Sequence, residues 1–323
     1  MKIPMTATIF KVQTIPLALA VILPWLVGLI LHAPMMGCIA SFATYLMVVS
    51  FPAIPGSKPL SRLLISAVIF TFFAALGLST TFGTVYFYFF ALLAALAQGL
   101  AELRGGHLRL PVALAALAFF LTNGMATPEV LNHYIVSFGA GCLWAVPFIL
   151  FLIKRETAPP TIIPLRPFKE PSQYKFLICI MLTALCGCMA VSFSTLIHAC
   201  WLPAAALRVI KPTWADTKYR IRARGMGTLM GAVAGSIILS LSAFPLFHII
   251  VVGILVLTML QIGAKNYFKW TFCLTAIALA FNEGFGVNVY SLALERTLLT
   301  IIGISITAII MMLFSYHRAQ QNG

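Results

Sequence analysis

Long apolar runs alternate with short polar or basic breaks along the whole chain. A helix needs about 20 apolar residues to cross the hydrocarbon core of a bilayer, and shorter helices are tolerated inside a bundle. The pattern predicts twelve membrane helices, near residues 13–32, 34–52, 61–79, 82–101, 109–125, 131–153, 175–194, 197–211, 224–242, 245–263, 268–282 and 290–315. The eighth run is short and contains Pro203, so we expect it to be broken or to cross only part of the membrane.

The composition excludes a water-soluble domain. Of the 323 residues, 61% are hydrophobic and 9% are charged, and the mean hydropathy is +1.03, whereas soluble domains have about 25% charged residues. The chain is therefore predicted to be an all-α polytopic membrane protein. Its net charge of +14 would suit nucleic acid. Basic residues also gather in the cytoplasmic loops of membrane proteins, however, so we predict no nucleic-acid partner.

The basic residues fall on alternate loops. With the N-terminus in the cytoplasm, the predicted cytoplasmic loops and tails contain every Lys and Arg except Arg296. The predicted outer loops contain no Lys or Arg, and their acidic residues are Glu129 and Glu283. Because Lys and Arg resist translocation, this bias predicts a multi-pass protein with both termini in the cytoplasm. The basic loops are also expected to bind the head groups of anionic membrane lipids.

A stretch rich in proline and charge divides the chain into two halves of similar length. We predict a first six-helix repeat at 1–156, a cytoplasmic Pro-rich linker at 157–173 and a second six-helix repeat at 174–323. Residues 109–124 align with 269–284 without a gap, an offset of about 160 residues. Since six is an even number of helices, the two halves are expected to have the same orientation, as in the parallel repeats of some transporters.

The chain has no motif of the common catalytic or metal-binding classes. It contains no nucleotide-binding loop and no nucleophile triad, and its seven cysteines lie inside apolar runs without metal-ligand spacing. We therefore predict no catalytic residue, no metal and no cofactor. The protein is not expected to be an enzyme, and an ATP-driven mechanism within this chain is not expected either.

The segment around the eighth run contains a spaced pattern. It consists of Trp201-x-Pro203, Pro212, Thr217, Arg220, Arg224, Gly227-Thr228 and Gly231. Near the C-terminus, Arg296 is followed seven residues later by Gly303, and in the first half Arg62 stands where the second half has Arg224. This pattern resembles the signature of the fusaric acid resistance and aromatic acid exporter superfamily (FUSC), most closely in the second half of the chain.

The resemblance implies a protein of the bacterial inner membrane that exports aromatic or other weak organic acids. Many bacterial relatives work with a periplasmic adaptor, so an adaptor is one expected partner, beside the organic anion and membrane lipids. A chain with two repeats is expected to act alone or as a homodimer. The alternatives are a passive anion channel, as in the similar plant malate channels, and a membrane scaffold for envelope assembly that transports nothing.

Two interpretations fit the basic segment 208–224, which has six Lys or Arg residues and one acid, Asp216. The charges could serve topology and lipid binding alone. Alternatively, they form a positive vestibule in which Arg220 and Arg224 bind carboxylates, since a guanidinium holds a carboxylate through two hydrogen bonds. The apolar run begins after Arg224, so we expect this residue at a helix N-terminus, where free N–H groups would also favour anions.

Small residues follow Arg224. Gly227 and Gly231 are four residues apart, a spacing that lets another membrane helix approach closely, and Gly303 is assigned to helix packing as well. Thr228 is a candidate for substrate contact or for a bond to its own backbone. Trp201 is a candidate for stacking on an aromatic substrate or for packing within the bundle.

Ionisable residues near the last apolar run form a second candidate site. Glu295 and Arg296 fit either the outer interface or a functional site within the membrane. In the functional interpretation Arg296 binds the substrate anion or fixes a helix contact, and Glu295 accepts a proton. His32 and His198 stand at equivalent places in the two halves and are candidates for a proton relay or for capped interfacial residues.

Overall fold

The computed structural model describes residues 7–50, 59–106, 108–152, 170–194, 196, 198–263, 266–283 and 288–321, which form helices and no strand. The helices are α1 (Ala7–Ile30), α2 (Pro34–Ser50), α3 (Pro59–Ser79), α4 (Val85–Arg104), α5 (Arg109–Thr122), α6 (Leu131–Leu152), α7 (Pro171–Ser192), α8 (Trp201–Val209), α9 (Trp214–Leu239), α10 (Pro245–Ile262), α11 (Tyr267–Glu283) and α12 (Val289–Gln321). The prediction of an all-helical chain is confirmed. The predicted linker 157–173 lies outside the described residues as far as residue 169.

The helices differ in their capacity to cross a membrane. Within the described part of the chain, α3, α4, α6, α7, α10 and α12 are long and apolar enough to span it, so the protein is a multi-pass membrane protein. The apolar parts of α1, α2, α5 and α11 are shorter. Helix α8 has nine residues, in agreement with the expectation that the eighth run is short.

The start of α9 differs from the prediction. The helix begins at Trp214, because Thr213 caps it: the Thr213 hydroxyl accepts a hydrogen bond from the Asp216 N–H at 3.2 Å and donates to the Asp216 carboxylate at 2.6 Å. Arg224 therefore lies almost three turns inside α9, and the expectation that it stands at a helix N-terminus with free N–H groups is wrong. Most of the basic residues of segment 208–224 belong to α8 or α9 rather than to a loop.

The two halves pack through a limited set of helix pairs. In the first half α2 lies against α1 and α6, α3 against α5 and α6, and α4 against α5. In the second half α8 lies against α7 and α12, α9 against α11 and α12, and α10 against α11. Contacts of α1 with α10, of α4 with α7 and of α5 with α8 join the halves around a common apolar core.

Side-chain contacts between helix ends and loops mark one end of the bundle. The Glu102 carboxylate pairs with the Lys211 ammonium group at 2.8 Å, which brings the last turn of α4 beside the α8–α9 loop. The Tyr267 hydroxyl donates to the Arg208 carbonyl oxygen at 3.4 Å, so the start of α11 lies there too. We call this the basic end, defined by Arg109, Lys211, Arg220 and the residues that contact them.

Glycines allow some of these helices to touch through their backbones. A Cβ atom on Gly141 of α6 would overlap the Ala40 carbonyl group of α2, and a Cβ on Gly303 of α12 would come within 2.6 Å of the Leu202 carbonyl oxygen of α8. Neither neighbour can move without shifting a helix. These two glycines therefore set the distance between α2 and α6 and between α8 and α12.

Substitution of Gly141 is expected to destabilise the bundle. Gly141→Ala forces α2 and α6 apart, and overpacking of this kind costs about 1–3 kcal/mol. A lower melting temperature of the detergent-solubilised variant would report this loss of stability. Gly139→Ala is the matched control on the same helix, since its Cβ would lie 3.4 Å from the nearest Thr71 atom, an ordinary contact. Equal melting temperatures of the two variants would contradict the prediction.

Candidate anion-binding site

Three arginines are buried inside the second half of the bundle. Arg208 in the last turn of α8 is 9% exposed, Arg224 of α9 is 1% exposed and Arg296 of α12 is 2% exposed. Arg224 lies within electrostatic range of both Arg208 and Arg296. We call these three residues the arginine cluster. Its members come from three helices that the sequence separates by up to 88 residues.

The guanidinium groups of the cluster are poorly satisfied by the protein. The Nε and Nη1 atoms of Arg224 and of Arg296, and the Nε atom of Arg208, are buried without a hydrogen-bond partner. No ion pair involves them within the described part of the chain. A buried charge without a partner costs several kcal/mol, so the cluster has unused capacity to bind an anion.

The glycines of α9 explain why Arg224 is buried. Cβ atoms on Gly227 and Gly231 would lie 2.8 Å from the Phe268 carbonyl oxygen and 2.5 Å from the Phe272 carbonyl oxygen of α11. Arg224 is one turn before Gly227 and therefore points from the same face of α9 into the bundle. Thr228, 1% exposed, accepts a hydrogen bond of 3.5 Å from Thr275 of α11.

Packing of α12 on α8 buries Arg296 in the same way. The Thr307 hydroxyl donates to the Ala206 carbonyl oxygen at 3.2 Å, and Gly303 lies against Leu202. Arg296 is two turns before Gly303, so it shares the face of α12 that covers α8. Arg296 is therefore enclosed by the bundle rather than exposed at its surface.

Trp201 lies next to the arginine cluster. Its side chain is 3% exposed, and the guanidinium carbon of Arg296 lies 4.4 Å from the centre of its ring. The His198 ring stacks on the Trp201 ring with centroids 4.6 Å apart. The electron-rich face of the indole thus provides a cation–π contact for Arg296 while leaving its N–H groups available.

Glu295 and Arg296 are adjacent in sequence, but their side chains contact different partners. The Glu295 carboxylate accepts a hydrogen bond of 2.9 Å from the backbone N–H of His198, in the segment before α8. Arg296 contacts Trp201 instead. His32, the other candidate for a proton relay, is exposed in the turn between α1 and α2 and has a positive φ of 55°.

An apolar pocket adjoins Trp201. It contains about 560 Å³ of space free of protein atoms, part of it open to the surroundings. Helices of both halves form its walls, with the residues Cys38, Ile39, Phe42, Leu78, Leu121, Thr122, Met125, Trp201, Ala278 and Phe281. The pocket therefore suits an apolar or aromatic group, with the arginine cluster next to it.

Further cations lie at the basic end. The Arg220 guanidinium carbon lies 4.6 Å from the centre of the Tyr267 ring, and Arg220 is not among the residues that line the pocket. Burial and the nearby Arg220 lower the pKa of Lys211 from its usual 10.5 to about 8, although Glu102 partly offsets this effect. Lys211 therefore remains mostly protonated at neutral pH, and Glu102 also pairs with Arg109.

The sequence analysis missed two tyrosines near the cations. Tyr45 of α2 lies within electrostatic range of all three members of the arginine cluster. Tyr267 of α11 is similarly close to Arg208, Arg220 and Arg224. Tyr45 has no sequence signal, because it occurs in an apolar run, whereas Tyr267 lies in the predicted basic loop between Lys265 and Lys269. Arg208 was counted among the basic residues, and its position in a short apolar helix was the signal that it is buried.

Comparison with known proteins agrees with the resemblance in the second half. Residues 177–310 match the model of the family described as fusaric acid resistance protein-like, and this range contains the whole arginine cluster and Trp201. No curated protein and no solved structure matches the chain. The second half of the chain is therefore similar to the fusaric acid resistance protein-like family.

Proposed function

We propose that the protein is a secondary exporter of organic anions, chiefly aromatic carboxylic acids, from the cytoplasm across the inner membrane. One observation carries the proposal: Arg224 and Arg296 are fully buried and have guanidinium N–H groups without a partner in the protein. A carboxylate fits this need, because it accepts two parallel hydrogen bonds from one guanidinium and neutralises its charge.

The order of the cations supports a path for the anion. Arg220 and Lys211 at the basic end attract anions from solution by raising their local concentration. From there Arg208, Arg224 and Arg296 lead towards Trp201, each within electrostatic range of the next. An inside-negative membrane potential favours outward movement of a monocarboxylate by about 2.3 kcal/mol per 100 mV.

The apolar pocket favours substrates with a ring. A benzoate-like anion would place its ring between the aromatic walls near Phe42 and Phe281 and its carboxylate towards Arg296. Aromatic rings gain from stacked or edge-on contacts beyond the area that they bury. Glu295, which holds the segment before α8 through His198, is the candidate for proton coupling in this scheme.

The membrane arrangement belongs to the same proposal. Two parallel six-helix repeats, with the basic end and both termini in the cytoplasm, are supported by helix contacts that recur six helices apart, such as α3 with α6 and α9 with α12. They are also supported by the glycines. Gly141 packs on Ala40 in the first half as Gly303 packs on Leu202 in the second half. Each residue of the second pair lies 162 positions after its counterpart in the first pair. The bias of Lys and Arg supports the orientation.

An efflux panel tests the function. Proteoliposomes loaded with benzoate, other aromatic acids or short aliphatic acids should release the aromatic acids fastest, at rates that saturate with concentration. Lipid vesicles without protein are the control at the same pH. Absence of protein-dependent release for every acid would overturn the proposal. Currents in planar bilayers far above carrier rates would instead support a passive channel.

A further inference from the structure

Tyr45 packs against the wall of the apolar pocket and lies within electrostatic range of the arginine cluster. Its ring packs against Phe42, with centroids 6.4 Å apart, and against Phe281, with centroids 6.5 Å apart. Both phenylalanines line the pocket. The side of Tyr45 that carries the hydroxyl is within electrostatic range of Arg208, Arg224 and Arg296. Tyr45 therefore has its ring among apolar groups and its hydroxyl within electrostatic range of three cations.

The hydroxyl of Tyr45 has a weak partner in the protein. Tyr45 is 2% exposed, and its O–H points to the Met259 sulfur of α10 at 3.6 Å. A thioether is a poor acceptor compared with a carbonyl or carboxylate oxygen. A buried hydroxyl normally has a strong partner, since burial removes the hydrogen bonds that water would supply. The Tyr45 O–H is thus available to a better acceptor.

We infer that Tyr45 binds the transported anion directly, donating its phenol O–H to the carboxylate that the arginine cluster holds. This inference rests on the proposed function and extends the site to a residue of the first half. Three arginines of the second half provide the charge, and one hydroxyl from α2 provides an additional donor. Neither half can then form the complete site without the other.

The hydroxyl also contributes to selectivity. An arginine attracts any small anion, whereas an additional hydroxyl donor favours an anion that has a second oxygen in reach of it. Carboxylates meet this requirement and halides do not. The Tyr45 hydroxyl is therefore expected to favour carboxylate over chloride at a site whose charge alone would accept both.

Tyr45→Phe tests the inference because it removes the hydroxyl and leaves the ring. With benzoate as the probe, we expect the half-saturating concentration for efflux from proteoliposomes to rise about tenfold or more, as for loss of a hydrogen bond to a charged group. The maximal rate should stay within about twofold of the wild type, since the arginines remain. Inhibition of benzoate efflux by chloride should become stronger at the same time.

Two control variants separate binding from folding. Tyr134→Phe removes the hydroxyl of a buried tyrosine of α6, and Met259→Leu removes the sulfur that Tyr45 contacts; both should keep the wild-type half-saturating concentration. An unchanged value in Tyr45→Phe would overturn the inference, although the proposed function would stand while the wild type transports. Equal effects of Tyr45→Phe and Met259→Leu, or failure of Tyr45→Phe alone to fold, would assign the hydroxyl a structural role.

Discussion

Arg224→Gln and Arg296→Gln are each expected to reduce benzoate efflux at least about 100-fold while the protein still accumulates in the membrane. Removing one partner of a buried charge pair costs about 2–5 kcal/mol, and the carboxylate would lose its main counter-charge. Gln keeps a polar side chain of similar length, so helix packing around Gly227 and Gly303 should persist. Efflux from proteoliposomes with matched protein content is the measurement.

Arg222→Gln is the control for these two substitutions. Arg222 is exposed and lies two residues before Arg224 on α9, so it contributes to the charge of the segment without entering the bundle. We expect it to retain most of the wild-type rate. An equal loss in Arg222→Gln and Arg224→Gln would favour topology and lipid binding as the purpose of the basic segment. If the protein is a non-transporting scaffold, Arg224→Gln should instead weaken its association with lipids or with partner proteins.

Arg296→Met is expected to raise the melting temperature of the protein in a buffer without organic acids. Replacement of an unpaired buried charge by an apolar side chain of similar volume often stabilises a protein by about 1–4 kcal/mol. The same substitution should abolish stabilisation by benzoate. The wild type should gain about 2.7 kcal/mol when benzoate is present at 100 times its Kd.

Thermal unfolding in detergent, with and without benzoate, measures both effects. Arg222→Met is the matched control and should melt as the wild type does and keep the benzoate shift, because its side chain is exposed. A lower melting temperature of Arg296→Met would mean that the contact with Trp201 outweighs the cost of the buried charge. Arg296 would then have a structural role, and the anion-binding interpretation of the cluster would lose its main support.

Much of the fold follows from the order of apolar and polar residues. The all-helical class and the short eighth helix were predicted from sequence, since hydrocarbon accepts only backbones with satisfied hydrogen bonds. The resemblance of the second half to the family was also visible in the sequence and agrees with the family match at residues 177–310. The start of α9 was predicted wrongly because hydrophobicity marks where a helix enters the membrane, whereas capping marks where it begins. The cap at Thr213 and Asp216 was present in the sequence.

The sequence named part of the candidate site. Trp201, Arg224 and Arg296 were named from the pattern that resembles the family, and the structure brings Trp201 and Arg296 into contact. Tyr45 was missed because a tyrosine within an apolar run is indistinguishable from a packing residue. Its proximity to the arginines arises from contacts between the two halves, which local spacing cannot reveal.

The sequence by itself determined that this is a membrane protein with helical segments, an uneven charge distribution and a FUSC signature. These properties depend on the composition of the chain, on the lengths of its apolar runs and on the spacing of the motif residues. Only the tertiary structure decided that Arg208, Arg224 and Arg296 are buried together, each with guanidinium nitrogens that lack a hydrogen-bond partner in the described protein. The physical reason is that burial depends on which helix faces meet, and the close approach of α9 to α11 and of α8 to α12 encloses charges that sequence alone could equally place at the surface.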